Sequence, residues 1–330
     1  MRPTLASGDR PDVAVVIPTA RRETRLAFAL DALARQTLAR QRFEVVVVRA
    51  DDPGPKTPTP DGLRVRFLSA GSDSGPASKR NLGWRATAAP LVAFTDDDCR
   101  PAVDWLERLV EASARARGDF VLQGRTEPDP DELPRLYGLA VTQTISAPSS
   151  WYETCNIAYP RALLERLGGF DDAFAGPDSG DYPVGGEDTD LGLRAIAAGA
   201  EQRFVEDAVV RHAVHSRHFT RALRDTRRWR SVPLVLKRHP QQRAALEVGL
   251  FGRPAHRKLL LAAAAVPFRR RPLLAAAIAA PYLRHHLRHT PLTPRAVARD
   301  LVDLPARAAV DAVEVLVTAA AAIRHRTPVL

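Results

Sequence analysis

Three consecutive aspartates, Asp96, Asp97 and Asp98, close the stretch LVAFTDDDCR and are the chain's densest group able to do chemistry. A short apolar run that stops abruptly marks the end of a buried strand. Carboxylates gathered there repel one another and require a countercharge. A hard divalent cation, Mg²⁺ or Mn²⁺, bound through oxygen and shared with a phosphate supplies it. A solvated acidic turn is the plain alternative. A second acidic pair, Glu187-Asp188, follows Gly185-Gly186 and opens an apolar-periodic segment. It can act as a general base, or it can complement a helix N-terminus, where negative charge is favoured.

The elements that must position these groups alternate in type. Strands are expected at Val13 to Ile17, Phe43 to Val48, Arg64 to Leu68, Leu91 to Thr95 and Phe120 to Arg125. Helices are expected at Glu23 to Gln36, Ala77 to Thr87, Val103 to Arg117, Arg161 to Leu167 and Thr189 to Ala198, with further strands at Gln202 to Val205 and Ala208 to His212. Such alternation predicts an α/β domain, a mostly parallel sheet sandwiched by helices. In these sheets ligands bind beyond the carboxyl ends of the strands. Pro18-Thr19, Asp51-Asp52 and Asp96-Asp97-Asp98 therefore belong on one edge. No G-x-G-x-x-G follows the first strand and no G-x-x-x-x-G-K-[ST] occurs, which argues against a dinucleotide fingerprint and a P-loop.

The net charge of +10 is uneven. Residues 216–330 carry 22 Lys+Arg against 6 Asp+Glu, a surplus of +16, and the first 215 residues are at −6. The chain reads as a catalytic domain over 1–215 and a basic helical extension over 216–330. Within the extension, Arg221 to His239 is expected as a basic helix and Arg307 to Arg324 as a last one. Between them, apolar runs Leu259 to Phe268 and Leu273 to Leu283 flank Arg269-Arg270-Arg271. Each is too short to span a bilayer. Basic flanks around short apolar runs suit a helix lying in an anionic membrane interface, or a hairpin packed on the catalytic domain. Two cysteines, Cys99 and Cys155, make no disulfide framework and fit a reducing cytosol, and no secretory signal opens the chain. The expected location is cytoplasmic, peripheral at the inner membrane face.

Six segments in order, VAVVIPTARR (13–22), FEVVVVRADDPG (43–54), ASKRNLGWRAT (77–87), LVAFTDDDC (91–99), CNIAYPRALLERLGGFDDAF (155–174) and GGEDTDLGLRAIAAG (185–199), resemble the family 2 glycosyltransferases of GT-A fold over roughly residues 12 to 215. The resemblance implies a Rossmann-like GT-A domain, a nucleotide-sugar donor with UDP-sugar as the default, and a divalent cation, Mn²⁺ or Mg²⁺. It assigns Asp98 as the direct metal ligand and Asp96 to ribose or metal-bound water, with Asp97 between. His212 fits a third ligand. Asp51 or Asp52 contacts the base, both open because Arg49-Ala50 displace the acidic pair from the valine run, with Asp51 preferred. Pro18, Thr19 and Arg21 line the nucleotide pocket, Arg80 pairs with phosphate or with the aspartates, and Asn156 faces sugar or acceptor. Asp188 of the Glu187-Asp188 motif is the implied general base of an inverting transfer to a glycan or lipid-linked hydroxyl. The competing readings are a sugar nucleotidyltransferase and a non-enzymatic nucleic-acid-binding protein; the basic extension shows no recognisable nucleic-acid reading motif.

Overall fold

The computed structural model describes residues 10–19, 22–50, 57–71, 74–175, 185–287 and 293–330. The described chain divides into two compact units. The first takes in 10–133, 142–175 and 186–214, the second 134–141 and 215–330.

The first unit holds β1 (Val13–Pro18), α1 (Glu23–Ala34), β2 (Phe43–Arg49), β3 (Val65–Ser69), α2 (Pro76–Ala86), β4 (Leu91–Phe94), β5 (Cys99–Pro101), α3 (Trp105–Ala114), β6 (Phe120–Pro128), β7 (Ile157–Pro160), α4 (Arg161–Leu167), α5 (Glu187–Ala197) and β8 (Glu201–His212). The strands form one mixed sheet in the order β3-β2-β1-β4-β7-β6-β8-β5. The β3-β2-β1-β4 half is parallel. Every residue of β1, β2 and β4 is buried, which is why these strands read as unbroken apolar runs. The other half turns antiparallel where β7 joins β4 and β6.

Side chains alternate across the sheet. Val13, Val15 and Ile17 face the core made with Leu26, Leu30 and Leu33 of α1 and Trp105, Leu106 and Leu109 of α3. On the opposite face α2 lies so close to β1 and β2 that a Cβ at Gly83 would come within 2.4 Å of Val16. Only glycine admits that approach, and the approach fixes the height of α2 over the strand ends.

Two strands escape expectation. Pro101 ends β5 rather than starting a helix; α3 begins at Trp105. The run from Gln202 to His212 is one long strand, with an irregularity opposite Gly124 to Thr126, instead of two. β5 pairs antiparallel with its end, Cys99 opposite His212.

The second unit is helical: α6 (Phe219–Asp225), α7 (Val232–Arg238), α8 (Pro254–Ala263), α9 (Pro272–Leu287) and α10 (Pro294–His325). The basic helix expected over 221–239 is split by a 3-10 turn, Thr226–Ser231, and restarts at Val232-Pro233. A proline lacks the N–H that a helix interior needs and suits a first turn. α10 starts earlier than its apolar run. The Thr293 hydroxyl caps it by accepting from the Ala296 N–H at 3.3 Å. Val310, Glu314, Thr318 and Ala321 with Asp311, Val315 and Ala322 form its buried stripe.

Candidate active site

Strand order brings the first two motifs together. β1 and β4 are neighbours and parallel, so Thr19, just past β1, meets the aspartates just past β4. The Thr19 hydroxyl donates to Asp97 Oδ2 at 2.6 Å. The Lys79 ammonium, on α2, donates to the Thr19 carbonyl at 3.0 Å and pins the strand end. Arg22 bridges two carboxylates: its Nη1 lies 3.3 Å from Asp97 Oδ1 and makes a short hydrogen bond to Asp98 Oδ2. The turn closes on itself through Cys99 N–H to the Asp96 carbonyl at 3.2 Å, and the Asp98 carbonyl accepts from the Ala213 N–H at 2.9 Å.

This crowding shifts the aspartates' protonation. Burial raises Asp97 to about 6, neighbouring Asp98 adds to the rise, and Arg22 and the Thr19 hydroxyl oppose it. Buried Arg80 joins the triad to the second motif. Its Nη2 donates to Asp96 Oδ1 at 2.9 Å and its Nη1 to Glu187 Oε1 at 3.0 Å. Burial pulls Arg80 toward deprotonation, but Asp96 and Glu187 outweigh it and hold the guanidinium charged.

Glu187 and Asp188 occupy the first turn of α5, one turn-start earlier than expected, and the cap position falls to Gly186 at φ 110°. That left-handed geometry favours glycine. Neither carboxylate therefore acts as the N-cap. Asp188 Oδ1 accepts from the Thr189 N–H at 2.8 Å. Burial and then the Glu187 charge push Asp188 up to about 8, against the pull of Arg80. Glu187 is raised too, by burial, with Arg80 opposing.

His212 reaches the triad through β5–β8 pairing. Its Nε2 lies 3.7 Å from Asp98 Oδ1, and Nδ1 lies 2.9 Å from the Ala213 carbonyl. A proton on Nδ1 makes that contact a hydrogen bond and leaves Nε2 as the lone-pair nitrogen. Asp98, Cys99 and His212 bring ligand atoms within 4.8 Å of one another, the one such group among the described residues. The buried Cys99 thiol is pushed well up by burial, so it stays protonated. The remaining carboxylate and imidazole, with Asp96 beside them, fit a hard-to-borderline divalent cation completed by oxygens from a ligand.

Asn156 corrects an expectation. It is 0% exposed and is committed to protein partners: Nδ2 donates to the Arg125 and Ala208 carbonyls, both at 2.8 Å, and Oδ1 accepts from Trp105 Nε1 at 2.9 Å. It ties β6, β8 and α3 together rather than facing a sugar. Tyr152 is likewise core, its ring filling the space over Gly192. Pro18 is the buried last residue of β1. Arg21 and Asp51, with Asp52, lie outside the described residues. Two residues absent from the expected site, Arg22 and Lys79, belong to it. Their signal was present: each sits in a motif segment that carries other site residues, Arg22 just after Thr19 and Lys79 beside Arg80 on α2.

The first unit is thus an α/β domain with an acidic, arginine-laced strand edge. Residues 14–167 match the family described as glycosyl transferase family 2. It is 31% identical to validoxylamine A glucosyltransferase of Streptomyces hygroscopicus subsp. limoneus over 253 residues, covering 64% of this chain and 54% of that protein. It is 25% identical to glycosyltransferase AglE of Haloferax volcanii over 217 residues, covering 61% of this chain and 67% of that protein. The chain thus spans about half the length of the first relative. A looser likeness, TM-score 0.48 at 21% identity over 96% of this chain and 82% of the other, is to a Pyrobaculum calidifontis mannosyltransferase solved with GDP-Man and Mn²⁺.

Proposed function

We propose that the chain is a metal-dependent, inverting glycosyltransferase that moves a sugar from a nucleoside-diphosphate donor to an acceptor hydroxyl. The observation that carries this reading is the buried Arg80, which links Asp96 of the triad to Glu187, the neighbour of Asp188, in one chain of ion pairs. Donor-side and acceptor-side carboxylates are thereby held as one unit.

In this reading Asp188 accepts the proton of the acceptor hydroxyl as its oxygen bonds to the anomeric carbon, on the face opposite the diphosphate. The bond from that carbon to the diphosphate oxygen breaks in the same step, so configuration inverts. Bound through Asp98, with Asp96 and His212, Mg²⁺ or Mn²⁺ supplies charge neutralisation to the leaving diphosphate. Arg22 and Arg80 are placed to offer guanidinium N–H groups to phosphate oxygens. Thr19, Arg21 and Asp51 complete the nucleotide pocket, with UDP-sugar as the default donor. A cell-surface glycan or a lipid-linked sugar is the proposed acceptor, and the inner face of the cell membrane the proposed seat.

The test is a panel of nucleoside-diphosphate sugars, each with Mn²⁺, Mg²⁺ or chelator, scored for release of the free diphosphate and for the anomeric configuration of the product by NMR. Metal-dependent diphosphate release with inverted product is expected. Pyrophosphate-dependent conversion of the donor to nucleoside triphosphate and sugar 1-phosphate instead, or a retained configuration, overturns the reading.

A further inference from the structure

Between Glu247 and Asp300 the sequence has no carboxylate side chain but ten Lys and Arg. Within that span α8 and α9 form a hairpin whose two ends differ in character. The base is fixed by buried polar pairs. His256 Nε2 lies 3.0 Å from Glu314 Oε2, which also accepts from Arg253 at 2.9 Å. Asp311 accepts from the Tyr282 hydroxyl at 2.8 Å and lies 3.0 Å from His286 Nε2. The far end is the reverse. Leu260, Leu261, Val266, Phe268, Leu273 and Leu274 are all exposed, Leu273 at 86%. Arg269, Arg270 and Arg271 are exposed in the middle of them.

A contiguous exposed apolar patch of this kind marks an interaction site. Its chemistry selects the partner. Three adjacent guanidiniums among exposed leucines, with no acidic neighbour in the span, complement a surface that is anionic at the headgroup and apolar just beneath. α8 and α9, at 10 and 16 residues, are about 15 and 24 Å long. Both fall short of the ~30 Å hydrocarbon core. No helix among the described residues is long and apolar enough to cross a membrane. We infer that the distal end of the α8–α9 hairpin docks on an anionic bilayer, with Leu273, Leu274, Val266 and Phe268 at the acyl boundary and Arg269 to Arg271 on lipid phosphates. This deepens the membrane-facing part of the proposed function and does not depend on sugar transfer.

The test is flotation of the full chain with vesicles of phosphatidylcholine alone or with phosphatidylglycerol. Binding to the anionic vesicles is expected. Replacing Arg269, Arg270 and Arg271 together by Gln should weaken it about a hundredfold, from roughly a fivefold loss for each basic residue near an anionic surface. Leu273→Ser with Leu274→Ser should remove the part of binding that survives 0.5 M salt. All of these side chains are exposed, so circular dichroism melts should match wild type and exclude misfolding. Undiminished vesicle binding by both variants overturns the hairpin's role while leaving a membrane seat standing. No vesicle binding by the wild-type chain overturns both. Salt-steep DNA binding without vesicle affinity, or a dimer that dissociates on Leu273→Ser, assigns the patch to another partner and overturns the inference.

Discussion

Asp188→Asn should lower activity and raise stability at once, and the pair of effects distinguishes a catalytic carboxyl from a helix-start decoration. The folded carboxyl titrates near 8, against a reference of 3.8. Between those two pH values the folded state holds a proton that the unfolded state has lost, so stability falls as pH rises from about 4 to about 8. At about 1.4 kcal/mol per pH unit, the full linkage is ~6 kcal/mol at most. Relaxation and water around the half-buried ionised group take back much of it, leaving about 2 kcal/mol to be lost between pH 5 and pH 9. Asparagine keeps the shape and cannot ionise, so that slope disappears.

For a domain this size 1 kcal/mol is about 2–4 °C in melting temperature. The variant's advantage over wild type should therefore grow by about 4–8 °C from pH 5 to pH 9 in paired melts. Turnover should fall by about 10²- to 10⁴-fold, the usual contribution of a general base. Wild-type kcat/KM should rise with pH to near 8 and then flatten, as the free-enzyme base loses its proton. A variant whose melting advantage is the same at both pH values, or one that keeps a tenth of wild-type turnover, refutes the assignment.

Arg80→Met leaves Asp96 and Glu187 without their shared cation; breaking a buried pair this way costs about 3–5 kcal/mol, read as a drop in denaturation midpoint together with a loss of donor binding. Asp98→Ala should abolish transfer and remove any Mn²⁺-induced rise in melting temperature, and a chelator should do the same to wild type. Gly83→Ala forces a methyl to within 2.4 Å of Val16 and 3.2 Å of Val48, so a loss of about 1–3 kcal/mol is expected in urea unfolding.

Much of the first unit was legible because its parallel strands are buried on both faces, which writes an uninterrupted apolar run into the sequence. The triple aspartate was legible for the same reason: polarity that starts where such a run stops has to lie at a strand end. β5 and β7 were not legible. They are three and four residues long, and CRP carries neither a period nor a β-branched residue. Their existence depends on partners far away in sequence, and His212 comes beside Asp98 only through the β5–β8 register. Asn156 misled because a polar residue inside a motif looks the same whether it faces a ligand or satisfies buried carbonyls. Arg22 was not legible from periodicity, which carries no signal that a residue before a helix meets Asp97 and Asp98.

The charges at this strand edge explain why its residues must act together. Asp96, Asp97, Asp98, Glu187 and Asp188 are five carboxyl groups, and among the described residues Arg22 and Arg80 are the guanidiniums paired with them. The upward shifts of Asp97, Glu187 and Asp188 come first from burial, and neighbouring carboxylates add to each. In the proposed reading a donor diphosphate adds negative charge to this edge, and Asp98 with His212 is where a compensating cation would sit. Added positive charge lowers the cost of ionising every carboxyl in the chain of ion pairs, Asp188 included. In that reading, filling the donor side would ease, through Arg80, the deprotonation of Asp188 on which acceptor attack depends.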